Sequence, residues 1–294
     1  MTDLAPTAAA KPILHGWREP LRRFLLHQPL GVAGAAVVLV MIAAALLADL
    51  IAPYDYLQTD YASMMAAPSL EHWMGTDSFG RDVFSRMLHG ARTALTVGFV
   101  SSLIGATLGL VIGVASAYFG GYTDMIVQRL LDIFMSFPLI ILALAIVSIF
   151  GTGTLNVTLA ITIPMIPRCA RVVRSSALAI RELPYVDAAR ALGFHHWRII
   201  LRHMLPNVMA PYLIMVTAFM GQAILLEASL SFLGLGVQEP VPAWGLMLQG
   251  GAEQYVESAP WMAIFPGLAI TVSVLAFNLF GDALRDVLDP KMRV

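Results

Sequence analysis

Cysteine is nearly missing from this sequence: Cys169 is the single one among 294 residues. An intrachain disulfide is therefore excluded, and the redox compartment stays open. Beside Arg168 and Arg171, that thiol reads as a small core residue. Charge is scarce as well. Only 13% of the residues are charged against 58% hydrophobic, and the mean hydropathy is +0.76. That balance excludes an ordinary soluble domain. The two lysines, Lys11 and Lys291, stand outside any Gly-x-x-x-x-Gly-Lys-Ser/Thr loop, so ATP binding by that route is excluded too. Asp77 and Asp82 lack the alternating oxygen ligands of a calcium loop. Their spacing instead predicts a short helix with Asp82 and Arg86 at i, i+4 and Asp77 capping or turning its start. No metal site and no nucleic-acid partner is expected.

Long apolar runs fill the chain, and they predict an all-α, polytopic membrane bundle of six transmembrane helices. Leu30–Ala48 carries no charge and is closed by Pro53. Thr93–Thr123 is the second run. Ile133–Pro167 is uncharged for 35 residues, too long for one crossing of about 20 residues. Its Gly-Thr-Gly-Thr at Gly151–Thr154 supplies a turn, giving two helices, the later one able to run on to about Val173. Val208–Leu226 and Trp261–Gly281 complete the set. The first run exceeds the apolar core of a signal peptide and follows a long segment, so it is expected to stay as a span. The expected organisation is an N-terminal segment over 1–29, a first helix over 30–53 and an external segment over 54–92. A five-helix core over 93–283 follows, with a hairpin at 184–206, and a tail over 284–294.

Lysine and arginine set the orientation. With the N-terminus inside, all of them fall on the inner side except Arg81, Arg86 and Arg92. Gly234–Pro260 has none, against Glu239, Glu253 and Glu257. Both termini are therefore expected in the cytoplasm. Only His72 and His89 among the histidines fall outside. Along the second run, Ser101, Gly105, Gly109, Gly113 and Ala117 recur every four residues. Such a stripe lets a neighbouring backbone come close and predicts a helix central to the bundle.

Between the fourth and fifth runs lies YVDAARALGFHHWRIILRHMLPN, Tyr185–Asn207, polar and strongly patterned. Pro184 suits a first helical turn. Tyr185, Ala188, Ala189 and Leu192 share one face, with Asp187 and Arg190 off it. Gly193 stands where a helix end wants positive φ. Trp197, Ile200, Leu201 and Met204 repeat the spacing on a second short helix, with Arg198 and Arg202 turned away. Pro206 disfavours helix at Leu205 and opens the next span. The small alanines suit a helix lying deep in a groove on another protein. An amphipathic pair on lipid headgroups fits the same spacing, and the pattern alone leaves both readings open.

Asp187-Ala188-Ala189, Gly193 and His203-Met204-Leu205-Pro206 together resemble the E-A-A-x3-G-x9-I-x-L-P loop of bacterial ABC-importer permeases. Asp187 replaces the glutamate and His203 the isoleucine. Ile51-Ala52-Pro53-Tyr54-Asp55, His72–Arg92, Leu225–Gly236 and Gly281–Pro290 resemble, in order, four further segments of the second permease of dipeptide, oligopeptide and nickel importers. The resemblance implies a type I importer fold in a bacterial inner membrane and one half of a heteromeric pore. It implies as partners a second permease, one or two ATPase subunits holding ATP and magnesium, and a periplasmic or lipid-anchored substrate-binding protein, with lipid around the bundle. It assigns ATPase coupling to Asp187, Ala188, Ala189, Arg190, Gly193, Trp197, Arg198 and Pro206, through which alternating access is driven. The chain itself is expected to be no enzyme. Peptide is the substrate expected, with glutathione and nickel in the same branch.

Glu227 falls about 30 Å along a helix from Asn207, near the outer edge of the fifth span. It reads either as a solvated or paired boundary carboxylate or as part of the translocation path meeting a peptide's amino terminus. An ion-coupled secondary transporter, the rival class, needs ionisable groups at mid-membrane, whereas Asp49, Asp132 and Glu227 all lie near span ends.

Overall fold

The computed structural model describes residues 24–26 and 28–288. Lys11, Arg18, Arg22, Arg23, Lys291 and Arg293, with most of the predicted N-terminal segment and the end of the tail, lie outside that range. Among the described residues the fold is all-helical.

Helix α1, Pro29–Leu46, opens on a proline whose missing N–H needs no partner there, and a further turn covers Ala48–Ile51. Helix α2 is Val83–Phe119, α3 Gly121–Met135, α4 Leu139–Phe150 and α5 Thr154–Arg181. The hairpin helix α6 is Pro184–Ala191, α7 is Leu205–Phe232, α8 Trp244–Gln254 and α9 Trp261–Leu288. α1, α2, α9 and the rod containing α7 are long and apolar enough to cross a membrane. The pair α3–α4, bent by 88°, makes up to five spans.

The third span thus departs from expectation. The run beginning at Ile133 is no single straight helix, because Pro138 disfavours helix at Phe137 and breaks it. Alone, α4 covers only about 18 Å, well short of the hydrocarbon. The fourth, α5, has the length but carries Arg168, Arg171 and Arg174 in its C-terminal half, which is why six uniformly apolar spans are not found among the described residues. The second begins ten residues before Thr93, at Val83, so the end of the predicted external segment is helix.

That early start has a local cause. The Asp82 carboxylate caps α2 by accepting from the Ser85 N–H at 2.8 Å and its hydroxyl at 2.7 Å, and Nδ1 of His72 stands 3.0 Å away. Asp82 and Arg86 do not form the expected i, i+4 pair. The cap consumes the carboxylate, and Arg86 reaches Glu239 instead, at 3.1 Å.

The small-residue stripe is the seam between α2 and α5. A side chain at Gly109 would come within 2.6 Å of Cys169 Cβ and 2.9 Å of the Ala170 nitrogen; one at Gly113 would meet the Ala170 oxygen at 2.5 Å. Ser101 adds a hydrogen bond to the Thr158 carbonyl at 3.1 Å. Dispersion at such close approach holds helices together where lipid offers no hydrophobic drive. Cys169 is fully buried in this seam.

α2 and α7 stand in the middle of the bundle. On one side α4, α5 and the hairpin pack against them around Ile161, Met165 and Met204. On the other, α1, α8 and α9 pack around Ile224, Trp244 and Phe277. α1 crosses α9 closely at Gly31 and Gly34, where a Cβ would fall 2.1 Å from Ala283 Cβ and 2.7 Å from the Ala276 oxygen. The turn at Gly151–Thr154 has the expected form, with φ of 86° at Gly151 and 116° at Gly153, values that side chains rarely adopt.

Candidate functional site

The hairpin is built from its turn outward. α6 ends at Ala191 with Leu192 as its cap, and Gly193 takes φ of 74°. The Gly193 N–H donates to the Arg190 carbonyl at 2.9 Å and the Phe194 N–H to that of Ala189 at 3.1 Å. This double bond pattern is a Schellman cap, which satisfies carbonyls left free at the helix end. After a short helical turn at His196–Ile199, a π turn over Ile200–Met204 leads straight into α7.

Two details differ from the spacing argument. Leu205 is helical despite Pro206, so the second arm is no separate short helix but the start of the fifth span. The π turn is the physical reason: Leu205 donates to the Ile200 carbonyl, five residues back, and the widened turn precedes the proline ring. The packed faces also differ. Val186 and Ala189 are buried, with Ile199, Ile200 and Met204, whereas Tyr185, Ala188 and Leu192 are exposed and so are Trp197 and Leu201. The wider turn puts Ile200 and Met204 on one side and swings Leu201 away.

The consequence is an outward apolar edge. Leu192 is 73% and Trp197 66% exposed, and none of the described residues lies within 4 Å of where a Gly193 side chain would begin. Asp187 and Arg190 flank this notch, joined at 3.0 Å. Both are well exposed, so the pair adds only about 0–1 kcal/mol of its own. The Arg198 guanidinium covers the Phe194 ring at 4.2 Å, and Pro206 is exposed at the base of α7.

Sequence reasoning missed what holds the hairpin in place. Tyr118, near the end of α2, meets Nδ1 of His196 at 2.7 Å through its hydroxyl, and Arg190 stands over its ring at 5.5 Å. Arg181 donates to the Ala117 carbonyl at 2.8 Å. Arg174 donates through Nε to Asp124 at 2.6 Å, and Arg171 pairs with Asp132, tying α5 to α3. The hairpin is braced on the C-terminal end of α2 through Tyr118, and it follows directly on the C-terminal end of α5. Only the helix ends themselves hinted at this, since the partners lie 50 or more residues apart for Arg174 and Tyr118.

At the other end of the bundle, Arg81 and Arg86 both reach Glu239, at 2.8 and 3.1 Å, and Arg81 Nε reaches Asp77 at 2.6 Å. Burial works to raise the Glu239 carboxyl, but the hydrogen bond from Arg81 and the charge of Arg86 outweigh it and hold the group below the usual carboxylate value. The pairs border a cavity of about 300 Å³ lined also by Phe79, Met247 and Glu253. Glu227 is not solvated: it is 1% exposed, and the Ser231 hydroxyl donates to it at 2.7 Å. Ser231 in turn accepts from the Val237 N–H at 3.1 Å. The carboxylate thus sits inside the bundle, at the root of the loop leading to Glu239.

Residues 105–294 match the family described as "Binding-protein-dependent transport system inner membrane component", and residues 17–68 the "N-terminal TM domain of oligopeptide transport permease C". The chain is 44% identical to the glutathione transport system permease protein of Pectobacterium atrosepticum, over 100% of this chain and 97% of that one. It is 43% identical to the dipeptide transport system permease protein of Alkalihalophilus pseudofirmus, over 94% and 90% respectively. In structure it is similar to an inward-facing form of the MetNI methionine ABC transporter, with a TM-score of 0.56, 20% identity and coverage of 70% and 97%. That likeness concerns the fold.

Proposed function

Since the chain belongs to the family of binding-protein-dependent transport system inner membrane components, we propose that it forms one half of the pore of an ATP-driven peptide importer. One observation carries this reading: a braced hairpin that leaves Leu192, Trp197 and Ala188 uncovered around an open notch. Large apolar groups held outward on a rigid support are what a partner protein buries.

The partner on this reading is a separate ATPase subunit, which binds ATP and magnesium. The notch receives a ridge of that subunit, Leu192 and Trp197 enter its apolar surface, and Asp187, Arg190 and Arg198 fix the register. When two ATPases close on ATP, the hairpin is displaced. Its bond to Tyr118 and its continuity with α7 carry the movement into the two central helices, so that the pore alternates between inward and outward openings. A second permease completes the path, and a periplasmic or lipid-anchored binding protein delivers the substrate. Both termini face the cytoplasm, following the arginines of α5 and the hairpin. Peptides, glutathione included, are the substrate class, in line with the names of the relatives at 43–44% identity.

Copurification from membranes tests the docking. Leu192→Glu places a charge on the apolar edge and is expected to weaken ATPase association about 30-fold, for a hot-spot loss of about 2 kcal/mol. Asp187→Arg replaces the ion pair with Arg190 by two like charges and is expected to weaken it by a smaller factor that shrinks in high salt. Full ATPase recovery with both variants would contradict the docking role.

A further inference from the structure

Four arginines line α5, and three of them have carboxylate partners: Arg171 with Asp132, Arg174 with Asp124 and Arg181 with Glu182. Arg168 has none among the described residues. Its one polar contact there is Oε1 of Gln222 on α7, at 3.5 Å from Nη1. Arg168 lies about 21 Å along α5 from its outer end, and Gln222 about 15 Å from the outer end of α7. The two therefore meet well inside the span.

Position on the helix adds a second observation. Arg168, Val172, Ser175 and Ala179 share one face of α5, and each is exposed or half-buried. One turn and two turns further out on that face, Pro164, Met165 and Ile161 are buried. Arg168 thus stands at the blind end of an uncovered strip that opens toward the hairpin side. Gln222 sits likewise on a partly uncovered strip of α7, with Met215, Ala218 and Leu225.

A guanidinium stays charged at any accessible pH, and at this depth it needs either water or an anion. Its five donors in a planar fork match the paired oxygens of a carboxylate or a phosphate, and of these the carboxylate is the one that every peptide carries. Gln222 turns its oxygen to the guanidinium, and its NH₂ makes no bond among the described residues, which leaves a second donor beside the first.

We propose that Arg168 and Gln222 form an anion site within the span that holds the carboxylate of a peptide during its passage. The assignment rests on the importer reading above and narrows it: the substrate is a carboxylate-bearing molecule, and a bare divalent cation is disfavoured. Arg168 is a binding residue here, set apart from the hairpin that couples to the ATPase.

The test uses the complete importer in proteoliposomes and compares uptake of one peptide with uptake of its C-terminal amide. Each variant's acid-to-amide ratio is divided by the wild-type ratio, which cancels the preference of the external binding protein. Arg168→Gln is expected to lower that ratio about tenfold and Arg168→Lys about threefold. Gln222→Ala is expected to lower it about threefold and serves as the deciding variant should Arg168→Gln fail to assemble. An amide carrying an acidic side chain separates the two carboxylate sources: restored sensitivity to Arg168→Gln assigns the site to any carboxylate, and continued insensitivity assigns it to the chain end. An unchanged ratio in assembled variants overturns the assignment, and that is also the result if Arg168 merely reaches lipid phosphate. A wild-type complex that moves no peptide in either form overturns the importer reading instead.

Discussion

Gly193→Trp is expected to leave the chain folded and inserted yet to weaken its hold on the ATPase by roughly 30-fold or more, with uptake falling in step. Two effects add. An L side chain at φ of 74° costs about 1–2 kcal/mol, and the Schellman cap is strained. The indole also starts into the open space in front of the hairpin, where none of the described residues lies within 4 Å of the Cβ position. Because the side chain starts into open space on an exposed edge, the bundle is expected to survive and the loss to fall on docking. Gly193→Ala separates the two, since it carries the backbone strain without the bulk. Uptake near wild type for alanine and near zero for tryptophan identifies the notch as a contact surface. Equal loss in both would assign the effect to the turn alone.

A second large effect is expected at the α2–α5 seam. Gly109→Leu brings a side chain against Cys169 Cβ at 2.6 Å and the Ala170 backbone at 2.9 Å, and neither can rotate away. Overpacking of this kind costs about 3 kcal/mol or more when backbone must shift. The purified subunit is then expected to unfold at clearly lower temperature in detergent, and little intact complex should be recovered. Gly250→Leu is the control. It adds the same side chain on a helix where nothing lies within 4 Å, and its unfolding temperature should match the wild type. If Gly109→Leu behaves like that control, the seam is not the close contact on which the bundle depends.

Much of this could be read in the residues, for local reasons. The stripe from Ser101 to Ala117 announced a helix gripped along its length, and Gly193 announced the end of α6, because spacing and positive φ are properties of short stretches. Pro138 could have announced the bend in the third span, but the apolar run around it hid the break. The hairpin's packed face was misplaced because Val186 and Tyr185 are neighbours of similar character. Only the core they meet decides which one turns inward. The π turn that rotates Leu201 outward has no local signature beyond Pro206. Arg86 with Glu239, Tyr118 with His196 and Arg168 with Gln222 are pairings across 153, 78 and 54 residues, which no spacing argument reaches. The same limit explains Glu227, whose place near a span end left a solvated or paired boundary group and a path-lining one both open, whereas the packed bundle buries it with the Ser231 hydroxyl as its partner.

On the proposed function, the hairpin and the two central helices are expected to move together. Past the Gly193 turn, the second arm is bonded to Tyr118 of α2 at His196 and runs on from His196 into α7 as one helical rod. The burial of Val186, Ala189 and Met204 leaves the hairpin little freedom to move alone.

Site-directed cross-linking at Leu192 tests this account most directly. A cysteine there has a clean background, since native Cys169 is fully buried. In intact membranes the Leu192→Cys importer should react with thiol reagents only from the cytoplasmic side and, on oxidation with cysteine-bearing ATPase, should form a cross-link whose yield changes when ATP is added. Reaction from the outer side, or the absence of any ATPase adduct in a complex that transports, would contradict it.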